Sequence, residues 1–242
     1  MSGWAAKRFW TEAEVVPSGA DWEVRLDGKP IRTPGKALLA LPTEALARAI
    51  AEEWQAQEGT IDPGTMPMTR FANSALDKVR PQHDAVAEML AGYGETDLLG
   101  HRAETPPELV ARQGAGWDPW LDWLEERHGA RLVTGTGVMP VAQEARVLAR
   151  LREVVAARDS FALMALHDLV SLTGSLVLGL AIAEGVLPWQ QGWDLSRIDE
   201  DWQIEQWGAD EEAEKAAAAR RQGLEAAQRF GALSGARGPS EL

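Results

Sequence analysis

The apolar period changes once along this chain, and that change limits the folds it can adopt. In Asp21 to Leu26 the apolar residues Trp22, Val24 and Leu26 alternate with Glu23 and Arg25, the two-residue period of a strand with one buried face. Asp27-Gly28 then reads as a hairpin turn, because Gly28 takes positive φ freely and Asp27 tolerates it better than most residues. The return strand Lys29 to Thr33 is expected to be short or to lie at an edge, since Pro30 and Pro34 have no N–H for a ladder. Glu12 to Val16 and Ala37 to Leu41 complete a small antiparallel meander. From Glu44 the spacing lengthens. Leu46, Ile50 and Trp54 recur at i, i+4 and i+8 on one helical face, with Thr43 placed to cap that helix and Gly59 to close it.

A connector containing Pro and Gly, Ile61 to Pro67, follows. Beyond it the spacing predicts helices over 68–78, 82–93, 107–113, 117–128, 143–157, 161–184 and 199–230, the last open to a break at Gly208, with a frayed tail from Ser234. The expected fold class is α+β: a small N-terminal antiparallel β-rich domain with one helix, residues 1–65, and an all-α helical bundle, residues 66–242. The most apolar run, Leu169 to Ala183, has 15 uncharged residues including Ser171, Thr173 and Ser175. A membrane span needs about 20, so it reads as a buried core helix whose small stripe Ser175, Gly179 and Ala183 admits a neighbour closely.

Composition narrows the chemistry. The formal net charge is −13 over 242 residues. A nucleic-acid binder neutralises phosphates with clustered Lys and Arg, and no basic patch stands out of this acidic background. With no Cys, disulfides, thiolate metal sites and Cys nucleophiles are excluded, and an intracellular address fits. Met1 to Trp10 lacks the continuous apolar stretch of a secretory signal. The four His, at 83, 101, 128 and 167, include no i, i+4 pair for a metal. His167-Asp168 with Ser171 has the ingredients of a triad, but neighbours on one helix diverge and no Gly-x-Ser-x-Gly elbow exposes a nucleophile. Neither Gly135-Thr136-Gly137 nor Gly174 to Gly179 makes a phosphate-binding loop. No cofactor is expected.

The remaining signal is aromatic. There are 11 Trp against 4 Phe and 1 Tyr. In Trp117 to Leu124, Trp117, Trp120, Leu121 and Leu124 share a helical face and Trp123 projects away from it. In Asp199 to Glu211, Trp202 and Trp207 are embedded in acid, so either they pack on the bundle or they anchor a partner whose basic groups meet the carboxylates. Trp54 faces the meander, the helical part or the joint between them. The charge is concentrated: Glu184 to Lys215 holds ten acidic and two basic residues, net −8.

Seven motifs occur in order: Arg8-Phe9-Trp10; Leu26-Asp27-Gly28-Lys29-Pro30-Ile31-Arg32-Thr33-Pro34; Glu53-Trp54 with Ile61-Asp62-Pro63 and Met66-Pro67-Met68-Thr69-Arg70; Thr96-Asp97-Leu98-Leu99; Trp117-Asp118-Pro119; Gly174-Ser175-Leu176-Val177-Leu178; and Asp201-Trp202-Gln203 through Glu205-Gln206-Trp207-Gly208. Over about residues 8 to 231 the chain resembles the ATP12 family of ATP synthase assembly chaperones. The resemblance implies a non-enzymatic factor that binds the unassembled α subunit of the F1 sector until the β subunit takes its place. It also implies a mostly β N-terminal domain before an orthogonal helical bundle. The partner-binding positions it carries over are Trp54, Trp202, Glu205, Trp207, Asp210 and Glu211. After Trp-Gly, mitochondrial members tend to carry an acid, an aromatic and a His-Asp pair, whereas this chain has Asp210-Glu211-Glu212-Ala213-Glu214-Lys215. No long mitochondrial presequence precedes Arg8, so the expectation is a bacterial, cytoplasmic, monomeric protein with no nucleic-acid or membrane partner. The rival readings are a carrier of an apolar ligand and an enzyme with its site at the joint between the domains.

Overall fold

The computed structural model describes residues 7–137 and 141–235. The first six residues, and the expected frayed tail from residue 236 on, lie outside the described residues. The meander forms as its period dictates. Strand β1 (Ala13–Ser18) pairs antiparallel with β2 (Asp21–Leu26), which pairs with β3 (Lys29–Pro30), in the order β1-β2-β3. Asp27 and Gly28 take φ of 46° and 77°, as a primed two-residue turn requires. β3 is two residues long, and the expected strand Ala37 to Leu41 is reduced to single bridges, Leu38 with Arg32 beyond β3 and Leu41 with Trp22 of β2. Helix α1 (Glu44–Gln55) is capped by Thr43, whose Oγ1 accepts from the Leu46 N–H at 3.1 Å, and it buries Leu46 and Ile50 in the core beneath the sheet.

Helix α2 (Pro67–Ser74) continues through a π-helical turn (Ala75–Val79) and a 3-10 turn (Arg80–Gln82) into α3 (His83–Ala91). Then come α4 (Pro107–His128), α5 (Ala145–Ala156), α6 (Ser160–Thr173), α7 (Leu176–Ala183), α8 (Trp189–Ser196), α9 (Ile198–Trp207) and α10 (Glu211–Leu233). A short parallel pair, β4 (His101–Arg102) with β5 (Gly135–Thr136), staples the loops flanking α4. The fold is α+β. No helix among the described residues is long and apolar enough to cross a membrane.

The structure departs from the expected helices at three places, each with a local cause. Residues 107–113 and 117–128 are one helix, α4, because Gly114 and Gly116 remain helical. A Cβ on Gly116 would come within 2.7 Å of Ile198 Cδ1, so its bare face is what lets the start of α9 settle on α4. Residues 161–184 are two helices, not one. α6 ends at Gly174, in the left-handed region at φ 71°, and Ser175 caps α7 by accepting from the Leu178 N–H at 3.0 Å. The small stripe therefore begins at a cap, and at Gly179 it meets Val170 of α6 closely: a Cβ there would come within 2.6 Å of Val170 Cγ2. Helix α8, between two expected helices, was not anticipated.

Asp97 locks the α6–α7 corner. Its side chain accepts from Ser175 Oγ at 2.8 Å, the Val177 N–H at 3.1 Å and the Leu99 N–H at 3.0 Å, and the residue is 2% exposed. Burial pushes this carboxyl above its ordinary range, against the pull of those hydrogen bonds.

Two apolar cores result. One gathers Leu90, Trp117, Leu121, Leu151, Leu166 and Leu180 within the bundle. The other gathers Trp10, Val24, Leu41, Leu46 and Ile50 together with Met68, Phe161 and Phe230, so side chains from both sides of the connector meet there. α10 enters both: Leu224 and Ala227 belong to the first, while Phe230 stacks on Phe71 (centroids 5.1 Å apart) and Phe161 (6.0 Å) in the second. Thr43 Oγ1 donates to the Leu233 carbonyl, fixing the far end of α10 to the start of α1.

Candidate functional site

The carboxylates concentrated near the end of the chain fall on α9 and the start of α10. Asp199, Glu200 and Asp201 occupy the first turn of α9, and Glu211, Glu212 and Glu214 that of α10, where the helix dipole favours negative charge. From Ile198 to Glu214 there are eight acidic residues and no basic one. Between the helices Gly208 adopts φ 89° and ψ 165°, a backbone region essentially restricted to glycine, and this turns the chain sharply. Asp210 then caps α10, its Oδ1 accepting from the Ala213 N–H at 2.9 Å.

The candidate residues on this segment have different tasks. Glu205 is bound bidentately by Arg112 of α4, at 2.7 and 2.9 Å, and that bonding holds its carboxyl below the usual range. The same guanidinium lies over Trp202, 5.0 Å from the ring centre. Glu205 and Trp202 therefore dock α9 on α4, assisted by buried Gln113, whose amide donates to Asp199 at 2.6 Å. Glu211 pairs with Lys215 on the exposed face of α10 at 2.6 Å. Trp207 differs from all of these, being 80% exposed. Two clefts flank it. One of about 390 Å³ lies against the loop before α4 and is lined by His101, Pro106, Leu109 and Trp202; the other, of about 650 Å³, lies between α9 and α10.

Most other indoles are internal, and several are covered by the chain's own arginines. Arg8 stands over Trp10 at 5.5 Å, Arg102 over Trp117 at 5.2 Å and Arg221 over Trp189 at 5.7 Å. Trp193 takes Arg197 at 5.2 Å and Arg220 at 5.8 Å. Trp123, expected to project outward, is half-buried and packs edge-on against His128 and Trp120. Trp54 is half-buried and packs against the core beneath the sheet, edge-on to Trp10 with centroids 5.2 Å apart, its Nε1 without a partner among the described residues. None of the ring contacts, ion pairs or clefts that hold the α9–α10 residues includes Trp54. Its neighbour Glu53 caps α2, accepting from the Met68 and Thr69 N–H groups at 2.6 and 2.8 Å. The structure thus gathers five of the six candidate positions on one surface and places the sixth elsewhere. Arg112 was missed, and no local signal marks it, since its partner lies 93 residues away.

Elsewhere, titratable groups are paired for structure. Glu184, its side chain 5% exposed, accepts from buried Arg158 at 2.8 Å and from Arg127 at 3.2 Å. His128 Nε2 lies 3.1 Å from it without the alignment of a hydrogen bond. Burial opposes ionisation of Glu184, but His128, Arg158 and Arg127 outweigh it and hold the carboxyl below its ordinary range. The imidazole of His167 bonds to Asp168 at 2.7 Å, which raises its pKa, and Ser171 Oγ lies 3.5 Å from the Asp168 carbonyl rather than on the ring. A cleft of about 520 Å³ between the connector and the bundle is lined by Pro67, Arg70, Phe71, Met164 and Asp168. No group of metal-ligating side chains occurs among the described residues.

Residues 7–125 match the family described as ATP12 chaperone protein. The chain is 25% identical over 219 residues to the mitochondrial protein atp12 of Schizosaccharomyces pombe, covering 86% of this chain and 75% of that protein. It is similar to the crystal structure of Atp12 from Paracoccus denitrificans, with a TM-score of 0.92 and 53% identity over 95% of this chain and 98% of that one. The Atu1473 protein of Agrobacterium tumefaciens gives a TM-score of 0.88 and 40% identity, covering 93% of this chain and 85% of that one.

Proposed function

Because the chain belongs to the ATP12 family and is a chaperone of ATP synthase assembly rather than an enzyme, we propose that its client is the unassembled F1 α subunit. The proposed contact is the surface of α9 and the start of α10. An α subunit without its partner exposes surface meant for β, which is an aggregation hazard, and a chaperone must mask that surface without holding it too tightly. A few aromatic anchors among carboxylates meet both needs: the indole supplies contact area, and the charges steer the encounter and yield to a better partner.

The observation that carries this reading is Trp207, a large indole left 80% exposed in the middle of the most acidic stretch of the chain. Within the surface, Trp207, Asp210 and Glu211 are the client-facing residues, and Trp202 and Glu205 keep α9 in place through Arg112. Trp54, half-buried against the core beneath the sheet, acts as support. A bacterial cytoplasm is the proposed location.

The test is coexpression of the F1 α subunit with the wild-type chain and with the Trp207→Ala, Glu211→Lys double variant. Both positions are exposed, so the variant should fold, losing only the Glu211–Lys215 pair and a small helix-dipole contribution at the start of α10, while leaving α in the insoluble fraction. A folded double variant that keeps α soluble to the wild-type extent refutes the assignment of the surface.

A further inference from the structure

Trp207 has neither of the arrangements that accommodate the other described indoles. Each of those packs in or against an apolar core or lies under an arginine, whereas Trp207 belongs to no core and has no cation or ring over it among the described residues. The 650 Å³ groove beside it has Gly208 at its apex, an apolar lining from Ile204, Ala213 and Ala217, and carboxylates at Glu200 and Glu214. The two arginines that line it are committed: Arg197 bonds Glu200 at 2.7 Å and Asp201 at 3.2 Å, and Arg220 donates to the Leu172 carbonyl at 2.9 Å. Glu214 has no cationic partner among the described residues. The groove thus presents a bare π face, an apolar lining and unmatched negative charge.

From this complementarity we infer that the α9–α10 groove receives a client segment in which an arginine is flanked by apolar residues. Its guanidinium stacks on the Trp207 indole within reach of the groove carboxylates, and its apolar neighbours lie on Ile204, Ala213 and Ala217. Guanidinium groups favour such faces because they are planar and weakly hydrated, and the chain's own Arg–Trp pairs show the same geometry at 5.0 to 5.8 Å. The inference rests on the reading that this surface holds the F1 α subunit, and it specifies which chemistry of that client is recognised.

The absence of Cys from the chain provides the assay, because a single introduced thiol is unique in it. Ala213→Cys places one in the groove, and Ala85→Cys places a control on the exposed side of α3. Maleimide modification of each is followed by mass in the free chain and in its complex with the F1 α subunit. In parallel, the affinity for α is compared for the wild type, Trp207→Phe and Trp207→Leu; phenylalanine keeps a π face and leucine keeps only apolar bulk. The expected result is slowing of about tenfold or more at position 213 on complex formation with no change at position 85. Affinity should fall about tenfold for leucine and about threefold for phenylalanine. If α is captured but position 213 reacts at its free rate, or leucine serves as well as phenylalanine, the groove inference is wrong while the client reading stands. If the wild-type chain does not capture α, the client reading falls and takes this inference with it.

Discussion

Asp97→Ala should be among the most damaging single changes in the chain, although it lies outside the proposed client surface. The carboxylate satisfies three donors from two separate segments: the Leu99 N–H beside it, and Ser175 Oγ and the Val177 N–H at the α6–α7 corner. Alanine leaves the two backbone N–H groups buried without acceptors, at about 1–3 kcal/mol each, while the hydroxyl can turn elsewhere. Relief from burying a charge returns part of this, so the net loss should be about 2–4 kcal/mol. Equilibrium urea unfolding followed by tryptophan fluorescence measures it. Asp97→Asn, which keeps one acceptor oxygen, should lose about half as much and carries a second signature. Burial raises the folded pKa of Asp97 above its unfolded value. The folded chain therefore holds that proton more tightly, and the stability the group contributes is fully present in acid, below about pH 3.9, and is lost as pH rises through the folded value. The advantage of wild type over Asp97→Asn should accordingly shrink as pH rises from about 3.5 and then level off. An alanine variant within about 0.5 kcal/mol of wild type would show that the corner does not depend on this carboxylate.

Glu184 should show the opposite pH dependence. Its folded pKa is depressed, so its contribution is present above about pH 4.3 and is lost as pH falls through the folded value; Glu184→Gln should flatten that acid limb in a pH series of melting temperatures. Glu184→Ala should cost about 3–5 kcal/mol by stranding the buried Arg158 guanidinium, and a loss below about 1 kcal/mol in chemical unfolding would contradict the pairing. Gly208→Ala forces a side chain into a glycine region at a cost of about 1–3 kcal/mol. It should re-aim the start of α10, so that far-UV circular dichroism stays near that of wild type while α subunit solubility falls in coexpression.

What could be read directly from the residues was whatever depends on near neighbours. The hairpin at Asp27-Gly28 and the cap at Thr43 involve residues within a few positions of each other, and both formed as their chemistry requires. The split at Gly174 was not legible, because a run apolar on every side shows no period and the residue that fixes the corner, Asp97, lies 78 positions before Ser175. The candidate surface was half legible. Acid and indole in one segment marked it, but which indole is outward depends on Arg112, far away on α4, which draws Trp202 and Glu205 inward and leaves Trp207 outside. Trp54 shared the spacing of Leu46 and Ile50, and it packs, half-buried, on Trp10 against the core those residues build.

Helix α10 is held unevenly: Arg220 and Arg221 tie its middle to Leu172, Trp189 and Trp193, its last turns are buried, and its first turn has only the Asp210 cap. From Glu211 to Gln222 its residues are exposed apart from Ala217, whereas Leu224, Ala227 and Phe230 are buried. A helix so divided has no single stability: its first turns can open for little more than the local helix energy, while its last turns open only when both cores come apart. Amide exchange along it should fall in a step near Gly223. The groove wall can therefore fray and re-form without disturbing the two cores, so one face of this surface is soft while the helix that carries it stays anchored.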